Sequence, residues 1–178
     1  MKAPLALSAL FFVALATGVV TDIRSRRIPN SLVLWLLGLG TIGALMHWSA
    51  ATTPLDALVG GLSGLGLWLP FWLLGLLGAG DVKYFAAASV WVGAPLAWRA
   101  ALLAALLGGV MSVAVLVFRR GMRQTLGEIA LQARHASVIL ADADAGNSDA
   151  KQRTFPYALP MAIAIAVAVL FPGVLRYA

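Results

Sequence analysis

Long apolar runs alternate with short groups of charged residues along most of the chain. Four runs contain no Asp, Glu, Lys or Arg, and they cover residues 3–20, 31–50, 57–77 and 100–118. A helix that crosses about 30 Å of hydrocarbon needs about 20 apolar residues. Each run therefore predicts a membrane span, and the set predicts an all-α, polytopic membrane protein.

A fifth uncharged run, 155–175, predicts the last span. It contains Pro156, Pro160 and Pro172, which a membrane helix tolerates at its ends or where neighbouring helices satisfy the freed carbonyl groups. The first run also has features of a cleaved leader, with Lys2 ahead of it and small residues near its end. Its length, and the basic residues that follow it, favour a retained span.

The stretch 84–98 admits two interpretations, because it is only 15 residues long and contains Gly93-Ala94-Pro95, a typical turn. It is either a short span or the start of one long helix that continues through Arg99. A turn near Pro95 gives six spans and places ten of the 13 Lys and Arg residues on one side. A single helix would divide the charges almost evenly and leave Arg99 in lipid. The positive-inside rule therefore favours six spans, the short one at 82–97, with both termini outside the cytoplasm.

The composition supports a membrane protein and excludes several kinds of site. Hydrophobic residues make up 61% of the chain and charged residues 11%, whereas soluble domains average about 45–50% and about 25%. The chain has no cysteine, which excludes disulfides, thiol nucleophiles, iron–sulfur clusters and cysteine-based zinc sites. The net charge of +6 lies in the short gaps between apolar runs, so it indicates membrane orientation and not a nucleic-acid partner.

Residues 1–178 are expected to form one integral membrane domain with a cytoplasmic loop at 119–153. The first part of this loop is amphipathic and would lie on the lipid surface. The part after it is small and acidic, as in a flexible linker. Glycines at 60, 61, 64 and 66 give the third span a small-residue face for helix contact. Trp48, Trp91 and Trp98 are expected at the membrane interfaces.

Two of the seven acidic residues lie where a bilayer disfavours them. Asp22 ends the first predicted span and Asp81 ends the third, whereas Asp56 opens the third span and is expected to cap it. The remaining acids are in the cytoplasmic loop: Glu128, Asp142, Asp144 and Asp149. The chain crosses the membrane twice between Asp22 and Asp81, so both carboxyls reach the same face. Each is expected at a helix C-terminus, where the helix dipole disfavours a carboxylate.

Two carboxyls that converge there would share one proton, as in aspartic proteases. The ionised one can take a proton from water while the neutral one hydrogen-bonds the scissile carbonyl. Neither a metal nor a cofactor is required. The glycines at 78 and 80 are expected to let the backbone bend sharply and let a substrate approach Asp81 closely.

Three motifs together resemble the type IV prepilin peptidase family, most closely its short branch that serves Flp (tight-adherence) pili. They are Gly-x-Gly-Asp-x-Lys at 78–83, Asp22 followed by a basic run and Ile-Pro-Asn at 28–30, and Pro156-Tyr157-Ala158 at the start of the last span. The resemblance extends from the first span to the last. It implies that Asp22 and Asp81 are catalytic, with Gly78, Gly80, Lys83, Pro29, Asn30, Pro156 and Tyr157 as supporting motif residues.

The resemblance also implies the substrate and the location. The expected function is that of an intramembrane aspartic endopeptidase which removes the leader from prepilins or pseudopilins at the cytoplasmic face of the bacterial inner membrane. Its expected partners are the prepilin helix, the lipid bilayer and the pilus assembly machinery. Longer family members carry a cytoplasmic insertion with zinc-binding cysteines, and they methylate the new N-terminus. Only the short loop 24–30 stands there in this chain, so methyltransferase activity is not expected.

Simpler interpretations stand beside several of these assignments. Lys83 tunes the two acids, holds a substrate carboxylate or serves only as a positive-inside anchor. Pro29 and Asn30 begin the second span, with Asn30 as its cap. His47 and His135 are each isolated from other ligand types, so they do not predict a metal site. Two other functions stay open: a non-catalytic subunit of a pilus or secretion assembly, docking through 119–140, and a proton-coupled transporter.

Overall fold

The computed structural model describes residues 5–49, 53–120 and 157–173. All the regular elements among them are helices, which agrees with the predicted all-α class. The helices are α1 (Leu5–Ser25), α2 (Asn30–Leu45), α3 (Pro54–Leu73), α4 (Ala79–Val92), α5 (Ala94–Arg120) and α6 (Ala158–Leu170). Most of the predicted loop 119–153 lies outside the described residues.

Three helices are long and apolar enough to cross a membrane: α1, α3 and residues 94–114 of α5. The helices α2 and α6 are apolar but shorter, with 16 and 13 residues. The helix α4 has 14 residues, about 21 Å at 1.5 Å per residue. The described residues thus contain one helix for each predicted span, and the crossing of the membrane by the three short helices stays a prediction.

The central element is α4, which buries ten of its 14 residues and is packed against α2, α3, α5 and α6. Its neighbours are protein rather than lipid, so it accommodates polar side chains such as Ser89, whose hydroxyl donates to the Phe85 carbonyl oxygen at 2.8 Å. This burial within the protein explains why residues 84–98 have the shortest uncharged run of the six predicted spans. The expectation that Trp91 lies at a membrane interface was wrong, because its side chain is 2% exposed and stacks on Phe11 in the protein interior.

The helix α3 approaches α4 closely through the predicted glycine face. A Cβ on Gly60 would lie 2.7 Å from the carbonyl oxygen of Ser89, and one on Gly64 would lie 2.6 Å from the Ser89 hydroxyl. Gly61 faces Val90 in the same way. Gly66 has no atom near its Cβ position, so its inclusion in that face was wrong.

The predicted break between the fourth and fifth helices is confirmed at Gly93, the single residue between α4 and α5. Its φ of 78° lies in a region that favours glycine. The helix α5 begins at Ala94 and not at residue 100, so Arg99 lies within α5. The amide of Ala94 donates to Oδ1 of Asp56 at 3.0 Å, and Asp56 thereby anchors the start of α5.

The expectation that Asp56 caps its own helix was wrong. The N-cap of α3 is Thr53, whose hydroxyl oxygen accepts a hydrogen bond from the Asp56 amide at 3.0 Å. Two other helix ends also differ from the predicted runs. The helix α2 ends at Leu45 and α3 ends at Leu73, before their apolar runs end, because the chain turns there without a change in hydropathy.

Candidate active site

The two predicted acids lie at the ends of different helices, and both are buried. Asp22 lies three residues before the end of α1 and is 7% exposed; Asp81 is the third residue of α4 and is 6% exposed. The predicted C-terminal position is confirmed for Asp22 and wrong for Asp81. The helix α3 ends at Leu73, and the chain turns before Asp81 enters the first turn of α4. The dipole of α4 therefore favours negative charge at Asp81.

Asp22 and Asp81 are both buried and lie within electrostatic range of each other. Buried groups of like charge are costly, because little solvent screens them. A state with both carboxyls ionised is thus opposed by burial as well as by repulsion.

Asp22 is held by the last described helix. The backbone amide of Ala158 donates a hydrogen bond to Oδ2 of Asp22 at 3.3 Å. Ala158 is the first residue of α6, and amides in the first turn of a helix have no acceptor within that helix. The N-terminus of α6 therefore supplies a donor to an acid at the end of α1.

Asp81 is held by the start of its own helix. Gly78 is the N-cap of α4, and its backbone amide interacts with the Asp81 carboxyl, as is common for an acid at the third helical position. The other oxygen, Oδ1, is buried and has no hydrogen-bond partner among the described residues. One oxygen of Asp81 is thus engaged by the backbone, while Oδ1 is left for another partner.

The structure gives a different reason for the two motif glycines than the sequence suggested. The positive-φ glycines among the described residues are Gly75 and Gly93, so neither Gly78 nor Gly80 makes the expected sharp bend. A Cβ on Gly78 would lie 3.1 Å from Oδ2 of Asp81, whereas one on Gly80 would lie at an ordinary 3.5 Å from Ile28. Gly78 therefore leaves space for the carboxyl itself.

The other predicted motif residues are dispersed around the site. The Lys83 side chain is exposed, two residues after Asp81 on α4. Pro29 is the N-cap of α2 and Asn30 its first residue; both are exposed, and no side-chain hydrogen bond caps this helix. They begin the second helix as predicted, but Asn30 is not its cap. Pro156 lies outside the described residues.

Tyr157 fixes the start of α6 against α5. Its hydroxyl lies 3.2 Å from the hydroxyl of Ser112. Its ring covers Gly108, where a Cβ would lie 2.6 Å from Cε1 of Tyr157. Because Ala158 follows directly, this packing positions the amide that reaches Asp22.

A residue missed in the sequence, Tyr84, lies one helical turn after Asp81 and is fully buried. Its hydroxyl donates to the Leu15 carbonyl oxygen at 2.8 Å, and its side chain lies within electrostatic range of both Asp22 and Asp81. The signal available in the sequence was its spacing of three residues from Asp81, which puts both side chains on one helix face.

Comparisons with known proteins cover most of the described helices. Residues 9–113 match the type IV leader peptidase family, and both Asp22 and Asp81 lie within the match. A prepilin leader peptidase/N-methyltransferase from Pectobacterium carotovorum subsp. carotovorum is 34% identical over 127 residues. The alignment covers 67% of this chain and 42% of that protein, so the chain spans less than half the length of this curated relative. No solved structure matches the chain.

Proposed function

The chain belongs to the type IV leader peptidase family, and from this premise we propose that it is an intramembrane aspartic endopeptidase. It removes the leader from type IV, Flp-like prepilins or pseudopilins at the cytoplasmic face of the bacterial inner membrane. The observation that carries the proposal is that two acids, Asp22 near the end of α1 and Asp81 at the start of α4, are both buried and within electrostatic range of each other.

The two carboxyls share one proton in the working state, because burial and repulsion both oppose double ionisation. The ionised carboxylate takes a proton from a water molecule while the water oxygen attacks the scissile carbonyl carbon. The neutral carboxyl gives its proton to the carbonyl oxygen, and a tetrahedral intermediate forms. When the C–N bond breaks, the leaving nitrogen receives a proton from the pair and the carbonyl is restored, which returns the pair to its starting state.

The backbone groups around the pair restrict how each acid can turn. The Ala158 amide engages Oδ2 of Asp22, and Gly78 engages Asp81. The buried Oδ1 of Asp81, which has no partner among the described residues, is the atom we assign to the substrate side. Preorganised groups of this kind lower the cost of reaching the transition state.

Charge around the acids supports the cytoplasmic assignment. The exposed residues Arg24, Arg26 and Arg27 follow Asp22 directly, and basic residues next to a span mark its cytoplasmic end. A prepilin has a polar leader before an apolar helix, so its scissile bond would leave the lipid at this level. All six helices are proposed to cross the bilayer; of the short ones, α4 is enclosed by other helices, whereas α2 and α6 expose apolar side chains that can face lipid.

The proposed activity is peptidase alone. The relative's name includes an N-methyltransferase, an activity that is not proposed for this chain. The connection between α1 and α2 is only residues 26–29. The sequence contains no cysteine. Incubation with S-adenosylmethionine should therefore leave the new N-terminus of a processed prepilin unmethylated, as checked by mass spectrometry.

The decisive experiment is leader removal by the full chain in proteoliposomes that contain a tagged Flp-type prepilin. Cleavage is followed by gel mobility and by mass spectrometry of the new N-terminus. Asp22→Asn and Asp81→Asn keep the side-chain shapes and should each reduce cleavage below detection. Asp56→Asn is the matched control, because an amide oxygen can still accept the Ala94 amide. Cleavage by either of the first two variants would rule out the paired-acid mechanism.

A further inference from the structure

The side chains between α1 and α4 form three layers along the helices, and the acids form one of these layers. Asp22 and Asp81 lie at one end of this contact. At the other end, Phe11 stacks on Trp91 with ring centroids 4.5 Å apart and planes 17° apart. Tyr84 lies between these two layers, one helical turn from Asp81.

In the middle layer the Tyr84 ring rests on a glycine of α1. A Cβ on Gly18 would lie 2.9 Å from Cζ of Tyr84 and 3.1 Å from its Cδ2. Gly18 is four residues before Asp22 and is therefore on the same face of α1. The ring thus sets how closely α1 approaches α4, one turn away from the acids.

The Tyr84 hydroxyl adds a constraint along the helix axis. It donates to the Leu15 carbonyl oxygen at 2.8 Å, and the bond is buried. Breaking it would leave a hydroxyl in an apolar interior without a partner, which is costly. Because each residue advances a helix by about 1.5 Å, a shift of α1 by one residue would separate the two atoms. The bond therefore opposes sliding of α1 against α4.

The helices α2 and α3 meet α4 differently, since they use glycines that face its backbone or Cβ atoms. Gly60 and Gly64 of α3 face Ser89, and Gly40 of α2 faces Val90. By contrast, α1 reaches α4 through the large rings of Tyr84 and Trp91. The helix α1 also packs against α2 and α6, but its spacing from α4 is set by side chains, of which Tyr84 is the one next to the acids.

We propose that Tyr84 is a positioning residue that holds α1 and α4 at the separation and register in which the Asp22 and Asp81 carboxyls face each other. The proposal rests on the proposed peptidase function for its consequence in catalysis. Its structural part, the spacing of the two acids, is measured without any substrate.

Three variants separate the ring from the hydroxyl. Tyr84→Phe keeps the ring on Gly18 and removes the bond to Leu15, so kcat should fall about fivefold, as expected for one net hydrogen bond. Tyr84→Leu removes both constraints, and kcat should fall roughly 100-fold, the order expected for a displacement of about 1 Å in an active site. In both variants KM should change less than about twofold, because Tyr84 is proposed to position the two carboxyls and not to bind the substrate. Phe85→Leu is the matched control, a neighbouring buried aromatic that packs on Trp68.

The second readout is the distance between positions 22 and 81. The chain has no cysteine, so Asp22→Cys with Asp81→Cys provides a unique thiol pair. Bifunctional thiol reagents of graded length should link this pair with a sharp preference for one length. Adding Tyr84→Leu should broaden that preference or shift it to longer reagents, whereas adding Phe85→Leu should not.

Gly18→Ala tests the same contact from the other helix. Its methyl group should displace the Tyr84 ring and lower kcat, and Gly18→Ala combined with Tyr84→Leu should regain part of the loss because leucine leaves room for that methyl. Failure of this rescue would count against the ring as the spacer.

The outcomes distinguish the two proposals. If Tyr84→Leu behaves like Phe85→Leu in both kcat and cross-linking, Tyr84 has no positioning role. A fall in kcat with an unchanged cross-linking profile would also overturn the inference. If the unaltered chain cleaves no prepilin, the proposed function fails, yet a shifted cross-linking profile would still support Tyr84 as the residue that spaces the acids.

Discussion

The amide of Ala158 donates a hydrogen bond to Oδ2 of Asp22 at 3.3 Å across 136 positions of sequence. This bond joins the first residue of the last described helix to the acid at the end of the first. The conformation of the candidate active site therefore depends on how α6 is seated, and α6 is seated on α5 through Tyr157.

Gly108→Ala should impair catalysis through this connection. The new methyl carbon would lie 2.6 Å from Cε1 of Tyr157, so Tyr157 and the adjoining amide must move away from Asp22. A fall in kcat of roughly tenfold is expected, at the low end of the cost of misplacing a catalytic group, measured as leader removal in proteoliposomes. Gly109→Ala is the control, because nothing lies within 4 Å of its Cβ position. Equal activity of the two variants would contradict the connection.

Gly78→Ala should act directly on Asp81. Its Cβ would lie 3.1 Å from Oδ2 of Asp81, closer than most real Cβ contacts, so the carboxyl must rotate or the helix start must shift. Cleavage should fall at least about tenfold while the folded fraction stays close to that of the unaltered chain. Gly66→Ala on α3, which meets open space, should keep full activity. Normal cleavage by Gly78→Ala would show that the carboxyl does not need this space.

The rate of cleavage should have a bell-shaped dependence on pH. Catalysis requires one ionised and one protonated carboxyl, so acid removes the base by protonating both groups, and alkali removes the acid by ionising both. The measurement is kcat against pH at constant ionic strength in proteoliposomes. Intrinsic fluorescence across the same range identifies any loss that comes from unfolding. A rate that rises steadily with pH would indicate a single base and contradict the shared proton.

Gly93→Ala should destabilise the fold without touching the acids. Gly93 has φ 78° and ψ 169°, a conformation that costs other residues about 1–3 kcal/mol. Gly60 of α3 faces this turn, and a Cβ on Gly60 would lie 2.7 Å from the carbonyl carbon of Gly93. Gly60→Ala should therefore be destabilising as well. Thermal unfolding in detergent should show a lower midpoint for both variants and an unchanged one for Gly66→Ala. Unchanged midpoints in all three would contradict the close packing of α3 on this turn.

Hydropathy and charge were sufficient to predict the all-α class and, among the described residues, one helix for each apolar run. The hydropathy of a run depends on the surroundings of its own residues, so the sequence predicted an all-α protein, a turn near Pro95 and an acid near each of two helix ends. It also predicted that Asp22 and Asp81 share one side, because two crossings separate them. Hydropathy could not locate the turn between α3 and α4, since apolar residues continue through it, and it therefore assigned Asp81 to the end of the wrong helix.

The contacts that shape the site were decided only by the tertiary structure. No local pattern reveals that the Ala158 amide reaches Asp22, that the Tyr84 ring rests on Gly18, or that Gly78 leaves space for the Asp81 carboxyl. These contacts depend on the rotation and axial position of each helix against its neighbours, which a helical repeat leaves undetermined. The sequence by itself predicted that two acids lie on one side of the membrane, whereas helix packing determined which groups surround each carboxyl.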